Sequence, residues 1–281
     1  MDLFQILILS VVQGAAELLP VSSSAHVIVV EKLMGLDPTS PELTMLLVML
    51  HTGTMFAAIV YFWNAWRNTY FSSMRAFRSN MRDVVIATIA TGLVGLILLQ
   101  LITYLLRRSS PGFEIEHLFG NSRLMAGALA AAGILILCSS RVEDKGNQKV
   151  SLRSAVLIGV VQGLCLPFRG FSRSGATIST GLVLGVTRRK AEEFSFALAV
   201  ALTPAVIVRE AYRLYKSQAN ATAVHTHDLM QVVAPSLIGM VFSFAAGLVA
   251  LRWLSTWLEQ GRWHFFGAYC MVASMFVLWV G

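Results

Sequence analysis

The chain has 281 residues, 56% of them hydrophobic and 13% charged, with a mean hydropathy of +0.67. Soluble domains carry about a quarter charged residues, so the composition excludes an ordinary soluble domain and indicates an integral membrane protein. The net charge of +7 does not imply nucleic acid, because the basic residues fall in short loops between apolar spans. There they set orientation and attract anionic membrane lipids.

The first nineteen residues are apolar but lack a basic leader, contain Glu17 and show no small-residue cleavage site. They are expected to belong to the mature fold rather than to a removable signal peptide. Within VVQGAAELLPVSSSAH, residues 11–26, Gln13 and Glu17 are four apart and share one helix face. Pro20 cannot continue that helix, and Ser22, Ser23 and Ser24 are suited to starting a new one. The expected result is a broken helix, 3–19 and 25–35, with a carboxylate, hydroxyls and His26 at its break. The second piece is too short to cross a core needing about 20 apolar residues, which favours a re-entrant pair.

Residues 43–66 are long enough to span, with Trp63 and Trp66 as interfacial anchors. His51, partway along, is expected to be satisfied by packing against a neighbouring helix. The following loop, 67–82, carries Arg67, Arg75, Arg78 and Arg82 and is placed in the cytoplasm. Spans 84–106 and 124–140 follow, then a second basic loop with Arg141, Lys145, Lys149 and Arg153.

A second broken helix is expected over 154–187. VVQG recurs at Val160, Val161, Gln162 and Gly163, Pro167 follows, and the restart reads GFSRSGATIS, residues 170–179. Spans near 191–208, 230–251 and 264–281 complete the chain, with both termini outside. An odd number of spans separates the two breaks, so they enter from opposite faces as an inverted-topology repeat. A weaker echo pairs ATGLVGL, residues 90–96, with FAAGLVAL, residues 244–251. The fold expected is therefore an all-α polytopic membrane protein with six membrane-spanning helices and two re-entrant pairs. It forms one integral domain whose halves run about 1–140 and 150–281.

In hydrocarbon an interrupted helix must be buried in protein or line a watery cavity, so the two breaks are expected to meet. Helix N-termini at Ser22 to Ser24 and Ser172 to Ser174 favour an anion, and Arg173 offers a planar fork for phosphate oxygens. Serines also cap helices in ordinary structural roles. Glu17, however, is an ionisable group in an apolar span and points to function. These features are equally compatible with phosphate chemistry and with transport. Cys138, Cys165 and Cys270 are expected to be small packing residues. His117, His225, His227 and His264 are placed in loops or at span ends, the His225 and His227 pair as solvated loop rather than metal site.

QGAAELLPVSSSAH, residues 13–26, and GFSRSGATIS resemble the two signatures of the bacterial undecaprenyl-diphosphate phosphatases, a family associated with bacitracin resistance. The resemblance covers nearly the whole chain, including HTGT from His51 and EFSFALAV from Glu193. It implies dephosphorylation of undecaprenyl diphosphate at a site open to the outer face of the bacterial cytoplasmic membrane, recycling the lipid carrier for peptidoglycan. Gln13 stands where many members have Glu, leaving Glu17 as the single carboxylate of the first motif. Arg169 is an added cation in the second.

The mechanism expected has Ser23 attack the terminal phosphorus to form a phosphoserine, with Glu17 or His26 taking its proton. Arg173, Ser172, Ser174 and Thr177 hold phosphate, together with Gln13, Ser22 and Ser24. No cofactor is required. A divalent cation, Mg²⁺ or Ca²⁺, is a possibility, carried by the substrate with Glu17 as the one protein ligand. A homodimer is a further possibility. The type-2 phosphatidic acid phosphatases fit less well, because their nucleophilic histidine falls at Ser179. A flippase for the same lipid is the alternative outside enzymes.

Overall fold

The computed structural model describes residues 1–37, 40–109, 121–142, 149–219 and 226–280, and among these it contains ten α-helices and no strand. His117, Lys145 and His225 lie outside the described residues.

The first break falls where proline dictates. Helix α1 (Leu3–Leu18) opens on a capping box in which Asp2 Oδ1 accepts from the Gln5 amide at 2.7 Å, and it ends before Pro20. Helix α2 (Ser23–Leu33) resumes in the same region. The second break separates α6 (Leu152–Cys165), which opens on a Ser151–Ser154 capping box, from α7 (Arg173–Val183). Between the two pairs lie α3 (Pro41–Tyr70), α4 (Met74–Ser109) and α5 (Ser122–Ser139). After them come α8 (Arg188–Ala219), α9 (Thr226–Glu259) and α10 (His264–Val280).

Among the described residues, four stretches are long and apolar enough to cross a membrane: Leu43–Tyr70, Met74–Arg108, Ser122–Ser139 and Val233–Glu259. The other two expected spans are α8, a 32-residue helix with Pro204 inside it, and α10, an apolar helix of 17 residues. The basic loop expected over 67–82 is shorter than the charge pattern indicates. Helix α3 runs to Tyr70 and α4 starts at Met74, so Arg75, Arg78 and Arg82 are helical. Arginine is a good helix former, and a polar helix end can extend past the apolar span. The span expected over 230–251 likewise extends past its apolar part, since α9 runs to Glu259 and includes Arg252.

Small residues set the packing. Helix α1 lies against α9, and α6 lies against α4. At the first contact a Cβ on Gly14 would stand 2.6 Å from the Ser243 carbonyl oxygen and 2.8 Å from Ala246 Cβ. At the second, one on Gly163 would stand 2.8 Å from the Thr91 carbonyl oxygen and 2.8 Å from Val94 Cβ. Both glycines end the VVQG repeats, and their contacts lie on or beside the segments that echo one another. Thr91 and Val94 fall within residues 90–96 of α4, Ala246 falls within residues 244–251 of α9, and Ser243 immediately precedes the latter segment. Helices α2 and α7 have 11 residues each and end alike. Gly35 (φ 63°) and Gly185 (φ 81°) adopt the left-handed conformation. The Leu36 and Val186 amides then reach back to Glu31 and Gly181 carbonyls at 3.0 and 2.9 Å.

The main core joins both broken pairs, with Leu18, Val21, Ile136, Ile178, Phe196, Leu254 and Trp263 buried together. Trp263 is 1% exposed, and its indole N–H lies 3.0 Å from Ser139 Oγ and 3.3 Å from Ser179 Oγ. Ser179 is thus a buried structural hydroxyl. Cys165 and Cys270 are buried as packing residues, whereas Cys138 is exposed.

Candidate active site

The two breaks meet. Ser174 Oγ, in the first turn of α7, donates to the Leu19 carbonyl at 3.1 Å, and Arg173 Nη2 donates to Glu17 Oε1 at 2.7 Å. The other carboxylate oxygen, Oε2, accepts from Ser23 Oγ at 2.6 Å and from Gln13 Nε2 at 3.3 Å. Glu17 therefore joins α1, α2 and α7 at one point. Arg173 Nη1 is buried and has no hydrogen-bond partner. A buried guanidinium N–H in such a place is suited to donate to an anion.

The local backbone also leaves donors open. Ser22, the N-cap of α2, has φ 67° and ψ 97°, the one non-glycine residue with positive φ among those described. Such a conformation costs about 1–3 kcal/mol and persists only where its surroundings hold it. Here the Ser22 carbonyl accepts from His26 Nδ1 at 2.8 Å. The Ser22 side chain does not cap α2, so the first-turn amides are not satisfied by a cap and face outward from a positive helix end. Helix α7 differs, because Ser172 Oγ accepts from the Gly175 amide at 3.1 Å.

The expected catalytic and phosphate-binding residues fall into three groups. Gln13, Ser23 and Arg173 touch Glu17 directly. Ser172, Ser174 and Thr177 have their hydroxyls in structural bonds: Thr177 Oγ1 donates to the Arg173 carbonyl at 2.8 Å and lies 2.6 Å from Ser195 Oγ. They set the position of Arg173 rather than reaching Glu17. Ser22 and Ser24 are at the break, and among the described residues no hydrogen bond holds either hydroxyl. Among the described residues, His26 forms no side-chain hydrogen bond with Ser23. Its Nε2 lies 2.7 Å from the Tyr269 hydroxyl on α10.

His51 departs from expectation. Its Nδ1 donates to the Leu47 carbonyl at 2.7 Å, which turns Nε2 toward Glu17 Oε2 at 3.8 Å. The packing role foreseen for it omits this contact with the site. His51 begins the HTGT segment and Ser195 lies in EFSFALAV, so both outlying motifs end on the site: one at Glu17, the other behind Arg173 through Thr177. Arg169 acts electrostatically on Glu31, a buried residue of α2.

No group of three or more His, Cys, Asp or Glu side chains that could hold a metal ion occurs among the described residues. Glu17, the one candidate ligand, has both oxygens engaged by Arg173, Ser23 and Gln13. That donor set does not fit a protein-held metal.

Comparison with known proteins covers nearly the whole chain. Residues 6–276 match the family described as bacitracin resistance protein BacA. The chain is 62% identical over 280 residues to undecaprenyl-diphosphatase 2 of Acinetobacter baylyi, covering 99% of this chain and 98% of that protein. It is 34% identical to undecaprenyl-diphosphatase 2 of Burkholderia orbicola and 34% identical to undecaprenyl-diphosphatase 1 of Burkholderia pseudomallei, each over 99% of this chain and 96% of the relative.

Proposed function

The chain belongs to the bacitracin resistance protein BacA family, and we propose on that basis the chemistry its two helix breaks perform. It is a polytopic membrane enzyme that dephosphorylates undecaprenyl diphosphate to the monophosphate, recycling the lipid carrier and conferring bacitracin resistance. The site opens to the outer face of the bacterial cytoplasmic membrane.

Ser23 Oγ attacks the terminal phosphorus. The new O–P bond forms as the anhydride P–O bond breaks, undecaprenyl phosphate leaves, and the serine proton passes to Glu17. Water then hydrolyses the phosphoserine and releases phosphate, while Glu17 returns the proton to Ser23. The 2.6 Å bond from Ser23 to Glu17 supports Glu17 as the base, because both nitrogens of His26 are engaged elsewhere. Arg173 and the uncapped first turn of α2 hold the phosphate oxygens and offset charge on the leaving group. The observation that carries this reading is the buried, unpartnered Nη1 of Arg173 beside the Glu17–Ser23 pair.

A divalent cation, where one takes part, arrives on the diphosphate. The chain is read as two inverted halves, about 1–140 and 150–281, and two matched features support this. The VVQG glycines pack on corresponding segments, and α2 and α7 close on corresponding glycines. Trapping of a phosphoserine at Ser23 by rapid acid quench, with labelled substrate, tests the mechanism; its absence from a turning-over enzyme would overturn it.

A further inference from the structure

Tyr269 belongs to neither broken helix, yet its hydroxyl lies 2.7 Å from His26 Nε2, with the two rings inclined by only 12°. The hydrogen-bond roles in this pair follow from the other ring nitrogen. Nδ1 faces the Ser22 carbonyl at 2.8 Å. A carbonyl can only accept, so Nδ1 carries the proton. On the neutral ring Nε2 is then a lone pair, and the phenol is its donor.

Tyr269 is 47% exposed, so its ring is not there to complete the core. A tyrosine at a membrane boundary can serve as an interfacial anchor with its hydroxyl in water or headgroups. Here the hydroxyl turns to His26 instead. The next residue of α10, Cys270, is fully buried and donates its thiol to the Pro20 carbonyl at 3.3 Å. Consecutive residues of α10 therefore brace the first break on both sides of Ser22.

A donor on Nε2 polarises the imidazole and makes Nδ1–H a stronger donor to the Ser22 carbonyl. That carbonyl belongs to the residue with φ 67°. Its conformation leaves α2 uncapped and delivers Ser23 to Glu17. Three residues thus form a chain: Tyr269, His26, Ser22.

We propose that Tyr269 is a positioning residue for the phosphatase reaction, acting through His26 to hold the strained turn that aims Ser23 at Glu17. The inference rests on the Ser23 reading above. It adds a residue from α10 to a site otherwise built at the two breaks and flanked by His51 of α3.

Tyr269→Phe removes one hydroxyl and keeps the ring. Measured on purified full-length protein with undecaprenyl diphosphate, it lowers kcat about 5- to 10-fold, the worth of one hydrogen bond, with KM within about twofold. In a His26→Ala background the same substitution changes nothing further. Equal losses in both backgrounds, or a loss confined to KM, would overturn the proposal in favour of simple packing against lipid. Spectra of ¹⁵N-histidine-labelled protein give a reading that needs no turnover. The parent shows His26 protonated on Nδ1 with a hydrogen-bonded Nε2, and Tyr269→Phe moves the Nε2 resonance to its unbonded position. An unmoved resonance overturns the proposal. Ser23→Ala separates the two claims: full turnover there sinks the site reading itself, whereas a dead Ser23→Ala beside a normal Tyr269→Phe sinks only the role of Tyr269.

Discussion

Arg173 donates to Glu17 at 2.7 Å although 156 positions separate them along the chain. The pair is part-buried, with side chains 23% and 18% exposed. Removing one partner of such a pair leaves the other charge unmet, which is worse than removing both. Arg173→Ala should therefore lower stability by about 2 kcal/mol, and Glu17→Gln in the same chain should restore part of it. Thermal unfolding in detergent checks this; additive losses would show that the two residues do not sense each other.

The three serines of the first break are chemically alike but differently placed. Ser23 donates to Glu17 at 2.6 Å, whereas no side-chain bond holds Ser24. Ser23→Ala should reduce turnover by about 10³-fold or more, the scale seen when one member of a nucleophile–base unit is removed. Ser24→Ala should stay within about threefold, since it loses no nucleophile and no charged group. Steady-state phosphate release from both variants distinguishes them, and the reverse ranking would move the nucleophile one residue along.

The close approach of α1 to α9 depends on Gly14. A methyl group there would meet the Ser243 carbonyl oxygen at 2.6 Å, a backbone atom that cannot swing aside. Gly14→Ala should destabilise by about 1–3 kcal/mol, the usual penalty of overpacking. Gly163→Ala should behave alike against the Thr91 carbonyl oxygen, which stands 2.8 Å from the added atom. Gly127, which has nothing within 4 Å of an added Cβ, serves as the control.

With both oxygens of Glu17 engaged, the lipid-free protein should bind no stoichiometric Mg²⁺ or Ca²⁺. Calorimetric titration of the metal into purified protein checks this. A saturable site that disappears in Glu17→Gln would contradict it and place a metal on the carboxylate.

Both breaks are legible in the sequence because proline and serine act locally: Pro20 stops α1, and the repeat of VVQG locates its counterpart. That the breaks meet follows from the cost of an open helix end in hydrocarbon, and the Glu17–Arg173 pair is its result. His51 and Tyr269 are not legible in the same way. Each is a lone polar residue in an apolar span, and which neighbour it faces depends on how α3 and α10 pack, which periodicity does not carry. The strain at Ser22 is equally hidden, since serine there reads as an ordinary N-cap. The basic loop over 67–82 misled for a local reason: arginines mark the membrane boundary by charge but do not end a helix.

The account stands on hydrolysis at the meeting point of the two breaks. Phosphate release from undecaprenyl diphosphate by the purified protein in detergent, beside Arg173→Ala and Glu17→Gln, tests it most directly. The expected result is release by the parent with no membrane gradient, and a loss of about 10²–10³-fold or more in each variant, the cost of removing one transition-state donor. A folded parent that binds the lipid but releases no phosphate, or variants that keep full turnover, would contradict it.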